Sequence, residues 1–264
     1  MVAESRTESW GVGAAYEPFI GRWSRSIAGE FLRWLDQEKG RHWVELGCGT
    51  GALTHAILEA AAPAGVAATD RSRDYVRYAR SGAPGAGRFV VGDATQLPLA
   101  TGTADVVVSG LLLNFLPDPA GGLAEMRRVV RAGGTVAAYV WDYAGRMELL
   151  RIFWDEAVAL DPSAAPLDEG RRFPICAPGE LERLWKQAAL TVVESTGLEV
   201  TTGFRDFEDY WRPFLGGQGP APAYVASLRP GARDRLRERL RARLVAESGP
   251  IELRARAWAV RGRA

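Results

Sequence analysis

Lysine is almost missing from this chain: Lys39 and Lys186 are the only two among 264 residues, although lysine and arginine together number 33. Alanine and glycine abound alongside the arginine, so the imbalance reads as a coding bias, not as a function. Cysteine is as scarce. Cys48 and Cys176 stand alone, too few for a disulfide framework or a cysteine-rich metal site. Histidine is limited to His42 and His55, so no metal is expected. Neither sign of charge dominates, the formal net charge being +1, and nucleic acid or an anionic membrane surface is not an implied partner. No apolar run reaches about 18 residues without glycine or proline, as a bilayer span requires. The first ten residues carry Glu4, Arg6 and Glu8 and no apolar core, unlike a secretory signal. A soluble, cytoplasmic protein with one α/β domain and a smaller addition is expected from this length.

What is present centres on Val44-Glu45-Leu46-Gly47-Cys48-Gly49-Thr50-Gly51. The aromatic and β-branched residues from His42 to Leu46 predict a strand. Leu53, Ala56, Ile57 and Ala60 share one face of a helix over 52–62. Glycines between them let the backbone take positive φ and let a ligand lie against the main chain, facing the free N–H groups of the helix start. Gly47-x-Gly49-x-x-Ala52 also fits the relaxed dinucleotide fingerprint, which keeps a nicotinamide oxidoreductase as an alternative. Glu45 argues otherwise, because a carboxylate beside the turn suits a cationic amino group better than a pyrophosphate.

Two further acids follow at strand ends. Strand 65–69 ends at Asp70, about 20 residues beyond the turn, the spacing at which a carboxylate reaches ribose hydroxyls; the other reading is a cap for the helix 75–80, a task Ser72 can do alone. Strand 88–92 ends at Asp93-Ala94, where the aspartate is either a ligand acceptor or a turn residue. Val106-Val107-Val108 predicts a central strand over 105–110, apolar on both faces as a parallel sheet requires. Leu111 to Pro117 follows its carboxyl end, where ligands lie in open α/β sheets.

Glu45-Leu46-Gly47-Cys48-Gly49-Thr50-Gly51 resembles the first motif of class I S-adenosylmethionine-dependent methyltransferases of the small-molecule, ubiquinone/menaquinone type. The passage from Asp118 through Arg131-Ala132-Gly133-Gly134 resembles a later segment of that family, with alanine where proline is usual. The resemblance implies an α/β fold: a doubly wound, seven-stranded Rossmann-like sheet in the order 3-2-1-4-5-7-6, with a helical cap insertion. It implies S-adenosyl-L-methionine as cofactor, bound by Arg25, Glu45, Gly47, Cys48, Gly49, Gly51, Asp70, Arg71, Asp93, Ala94, Gly110 and Leu111. Tyr16-Glu17 and Gly21 to Ser26 resemble the leading segment that folds over the cofactor. The family's Asn/Asp-Pro-Pro-aromatic motif of nucleic-acid amino methylation is missing after Gly110, so the expected acceptor is a small molecule. A protein that holds the cofactor without transferring its methyl group remains the other reading.

The expected organisation is a helical lid segment over 1–40, a cofactor domain over 41–203, a helical cap over 204–248 and a final strand over 249–264. A helix over 119–131 stopped by Gly133-Gly134, a fifth strand over 135–140 and helices over 147–160 and 180–189 complete the reading. Asn114, Trp141 and Trp211 are the substrate candidates. Tyr16, Asp142 and Tyr143 are the candidates for a general base, since neither histidine is well placed; Asp142 reads equally as a helix N-cap. The arginine-rich helix over 233–247 has Leu236, Leu240 and Leu244 on one face and arginines on the other, with interleaved acids that argue against nucleic acid.

Overall fold

Val106, Val107 and Val108 are at most 1% exposed, and the sheet is built outward from the strand they form. The computed structural model describes residues 21–83, 87–216, 219–244 and 249–264. Its strands are β1 (His42–Leu46), β2 (Gly65–Asp70), β3 (Arg88–Val91), β4 (Ala104–Gly110), β5 (Val130–Trp141), β6 (Thr191–Phe204) and β7 (Ile251–Arg263). They form one sheet in the order β3-β2-β1-β4-β5-β7-β6. The first five run parallel, and β7 is antiparallel to both its neighbours. The sheet order agrees with the expectation. The order reverses between β1 and β4, and in doubly wound sheets ligands bind beyond the carboxyl ends at such a switch point.

Helices flank the sheet: α1 (Arg22–Leu35), α2 (Ala52–Ala60), α3 (Arg73–Gly82), α4 (Pro119–Val129), α5 (Glu148–Leu160) and α6 (Glu180–Gln187). Their faces follow helical spacing, as in α1, where Ile27, Phe31 and Leu35 are all fully buried. Ser72 starts α3, its hydroxyl accepting the Tyr75 N–H at 3.3 Å. Asp118 does the same for α4 through the Gly121 N–H at 2.9 Å, with Pro119 in the first turn. Among the described residues no helix is long and apolar enough to cross a membrane.

The expected helix over 119–131 ends early, and its expected stop is part of a strand. Val130 is already extended, buried and paired with Ala104 of β4, so the chain enters β5 directly from α4. Gly133 lies inside β5 at φ 74°, its N–H donating to the Ala264 carbonyl at 2.9 Å.

Between β6 and β7 lie α7 (Phe207–Trp211), α8 (Pro220–Ser227) and α9 (Pro230–Leu244). Pro220 opens α8 in its first turn. These helices pack on α5 through rings. Phe153 stacks on Phe214 at 4.6 Å, Tyr210 lies 5.3 Å from Phe214, and the Tyr210 hydroxyl donates to the Leu149 carbonyl at 3.2 Å. The arginines of α9 pair with acids of neighbouring helices: Arg239 and Arg243 with Glu156 at 2.6 and 3.1 Å, and Arg241 with Glu208 at 2.8 Å.

Candidate active site

The turn after β1 takes positive φ at Gly47, Gly49 and Gly51, at 71°, 51° and 92°. That backbone curls the chain from the strand into α2. Asp70 ties it down from β2: its Oδ2 accepts the Gly49 N–H at 3.0 Å and its Oδ1 accepts the Ser72 N–H at 2.8 Å. One carboxylate thus joins the glycine turn to the start of α3. Burial pushes its pKa up, while the two backbone donors oppose the rise.

Glu45 lies just inside the turn, 1% exposed, with Thr54 Oγ1 donating to its Oε2. Burial pushes its pKa up to about 8, against the Thr54 hydrogen bond and with a smaller contribution from the charge of Asp70. Asp93 is different. It is exposed at the end of β3, and the hydroxyl and N–H of Thr95, at 2.7 and 2.8 Å, hold its carboxyl below the usual range.

At the end of β4, Gly110 is required by close approach: a Cβ there would meet the Tyr139 hydroxyl at 2.6 Å. Leu111 then takes φ 57°, unusual for a residue with a side chain. Its N–H donates to the Tyr139 carbonyl at 2.8 Å. Strained backbone of this kind costs about 1–3 kcal/mol and collects at functional sites. It sets up a 3-10 turn, Leu113–Phe115.

These pieces enclose one cavity of about 650 Å³, within the size range of small-ligand sites. Glu45, Gly47, Cys48, Gly49, Asp70 and Arg71 line it as expected. So do Asp93, Ala94, Gly110, Leu111 and Asn114. Gly51 does not; it sits behind the turn, where a Cβ would meet His55 at 3.0 Å. Arg25 is exposed outside the lining, and its neighbour Ser24 contributes instead. Tyr16 lies outside the described residues.

The remaining candidates belong to the scaffold. Asp142 is 1% exposed and fully used: it accepts the Gly145 and Arg146 N–H groups at 3.0 Å each, and Arg256 reaches it at 2.6 Å. It caps a loop and neutralises an arginine of β7, away from the cavity lining. Trp141 is 1% exposed in the core. Tyr143 is 4% exposed, with its ring 5.7 Å from that of Phe173 and one layer behind the cavity wall. Trp211 is 3% exposed beside Phe214, because α7 turns its rings toward α5. Trp211→Ala is therefore expected to lower stability by about 3–5 kcal/mol, as large-to-small core changes do. Calorimetry should find cofactor affinity unchanged; a selective loss of affinity would return Trp211 to the site.

Sequence reasoning missed Tyr139, Arg172 and Phe173, which line the cavity together with Phe115 of the 111–117 loop expected at its ligand end. Phe115 and Phe173 meet edge to face at 5.2 Å. The Arg172 guanidinium lies 5.3 Å from the Phe173 ring centre.

A doubly wound sheet with a glycine turn and acid-ended strands at its switch point defines a nucleotide-cofactor fold. Residues 44–138 match the methyltransferase-domain family. A malonyl-[acyl-carrier protein] O-methyltransferase of Hahella chejuensis is 32% identical over 129 residues, 48% of this chain and 46% of that protein. A chloroplastic 2-methyl-6-phytyl-1,4-hydroquinone methyltransferase of Oryza sativa is 32% identical over 137 residues, 51% of this chain and 39% of that one. The aligned segment thus spans less than half the length of these curated relatives. Haemonchus contortus phosphoethanolamine N-methyltransferase 2, solved with S-adenosyl-L-methionine, shares the fold at a TM-score of 0.56 and 15% identity, covering 95% of this chain and 56% of that one. The YcgJ protein of Bacillus subtilis does so at 0.58 and 15%, covering 92% and 98%. Residues 44–138 thus carry a methyltransferase domain, on a fold shared with a methyltransferase solved with S-adenosyl-L-methionine.

Proposed function

We propose that the protein transfers the methyl group of S-adenosylmethionine to a small-molecule acceptor by in-line displacement. The observation that carries this is one cavity whose lining combines carboxylates and a glycine turn with aromatic rings. Its carboxylates and glycine turn fit the cofactor. A Cβ built on Gly49 meets no atom within 4 Å, so the main chain there faces open space, and three acids stand at successive strand ends. In this reading Glu45 holds the amino group, Asp70 the ribose hydroxyls, and Asp93 with Ala94 the adenine edge. The named relatives act on a malonyl-[acyl-carrier protein] and on a phytyl hydroquinone, which supports an acceptor other than nucleic acid.

The cofactor supplies an electrophilic methyl on a sulfonium that is already a good leaving group. The chain's own work is alignment and exclusion of water. Tyr139, Phe115 and Phe173 line the cavity, and the 3-10 turn after Leu111 carries Phe115 and Asn114 into the lining. Asp142 and Tyr143 do not line the cavity, which supports catalysis by positioning.

Asp70→Asn is expected to weaken cofactor binding by about tenfold or more, because a charged acceptor worth about 1.5–3 kcal/mol is lost. It should lower the melting temperature too, since the carboxylate also holds the Gly49 and Ser72 N–H groups. Ser72→Ala should lower only the melting temperature. Calorimetry with S-adenosylmethionine and with NAD tests the cofactor reading, and tighter binding of NAD would sink it. A methyl-transfer assay over an acceptor panel separates an enzyme from a protein that only holds the cofactor.

A further inference from the structure

Asn114 sits on the 3-10 turn beyond β4, lines the cavity and is only 7% exposed. Its side-chain Nδ2 has no hydrogen-bond partner among the described residues. A buried donor without an acceptor costs about 1–3 kcal/mol, and native interiors rarely leave such a group unpaired. The strained Leu111 upstream holds the turn that carries it. Strain and an unpaired donor occur together on the β4 edge of the cavity, where the Leu112 side chain lies against Gly47 of the glycine turn.

The chemistry of that edge is distinct. Phe115 and Phe173 meet edge to face at 5.2 Å, an aromatic pair in the lining against which a ligand ring can pack. Arg172 adds a guanidinium at the rim, exposed and lining the cavity. Asp118, also in the lining, has its carboxylate engaged by the first turn of α4. The lining holds both signs of charge: Arg71 acts on Asp70 and Asp93, while Arg172 lies beside the Phe173 ring near the Asn114 turn.

We propose that the methyl acceptor is a small aromatic molecule bearing an anionic oxygen, carboxylate or phenolate, which receives the Asn114 Nδ2 donor while its ring packs against the Phe115–Phe173 pair. Arg172 balances its charge at the rim. Asn114 is then a specificity-determining residue, and the inference rests on the methyl-transfer reading above.

The test uses the full chain saturated with S-adenosylhomocysteine and two fluorinated probes of equal size and opposite charge, 4-fluorobenzoate and 4-fluorobenzylamine, followed by fluorine NMR. Fluorobenzoate should bind and fluorobenzylamine should not. Asn114→Leu should weaken fluorobenzoate about tenfold and leave affinity for S-adenosylhomocysteine within about twofold. Asn114→Asp keeps the shape of the side chain, guards against a folding artefact in the leucine variant, and should reject fluorobenzoate outright. Arg172→Gln should weaken fluorobenzoate alone. Equal binding of the two probes, or none by either, overturns the acceptor class while the cofactor reading stands. If Asn114→Leu lowers affinity for S-adenosylhomocysteine and not for fluorobenzoate, Asn114 serves the cofactor and the inference fails. Failure of S-adenosylhomocysteine to bind the wild-type chain would remove the methyl-transfer reading itself, and this inference with it.

Discussion

Gly49→Val is expected to abolish S-adenosylmethionine binding. Gly49 has φ 51°, and an added Cβ there enters open cavity, not protein. Valine would meet two separate penalties. Its branched side chain would occupy the space the cofactor needs, and a β-branched residue is poorly tolerated in the left-handed region. The second effect destabilises the fold by about 1–3 kcal/mol, so binding must be read in a variant shown to be folded by its thermal transition. Gly49→Ala, with the smallest side chain, separates the two: it retains part of the strain and intrudes less. A folded Gly49→Val that binds S-adenosylhomocysteine normally would show that the turn is not the site.

Glu45→Gln is expected to stabilise the free protein at alkaline pH and to weaken cofactor binding about tenfold or more, the loss of a charge-assisted hydrogen bond of about 1.5–3 kcal/mol. The sign follows from burial. Glu45 titrates near 8 in the fold against an ordinary 4.5, so the folded state holds its proton more tightly than the unfolded chain does. That contribution to stability is fully present below about 4.5 and is lost as pH rises through about 8. Glu169 adds to the same slope, since burial raises it to about 7 while Trp154 Nε1 donates to its carboxylate. Melting temperature should therefore fall from mildly acidic to alkaline pH, and less steeply in Glu45→Gln. A cationic amino group beside Glu45 favours the ionised form, so wild-type affinity should rise as pH approaches 8, and the glutamine variant should lose that dependence. Melting curves and calorimetry across this range check both halves; identical pH profiles for the two proteins would refute the assignment.

The side of the cavity that holds Glu45, Asp70 and Asp93 was legible because each signal is local. An apolar strand, a turn residue and a helix cap all lie within a few residues of one another, and the strand order follows from how such units stack. Asp142 shows where locality ends. An acid at the carboxyl end of a strand reads the same whether it faces a pocket or caps a loop, and the deciding partner, Arg256, lies 114 residues away. Trp211 was misread for a related reason: aromatic residues beside glycine and proline look like a lid until Phe153 and Phe214 are seen to enclose them. Tyr139 was hidden in a uniformly apolar strand. Arg172 and Phe173 come from an irregular stretch between α5 and α6, with no periodicity to mark which way a side chain faces.

That irregular stretch is mounted at one point and open at another. Asp168 is paired with Arg151 at 2.9 Å, and Glu169 is held by Trp154, whereas Arg172 and Phe173, a few residues on, face the cavity. The cofactor motifs lie elsewhere in the chain, complete before α4 begins. Recombination among relatives, or a laboratory library confined to residues 170–173, can therefore vary the Arg172 and Phe173 part of the lining while Glu45, Asp70 and Asp93 are inherited unchanged.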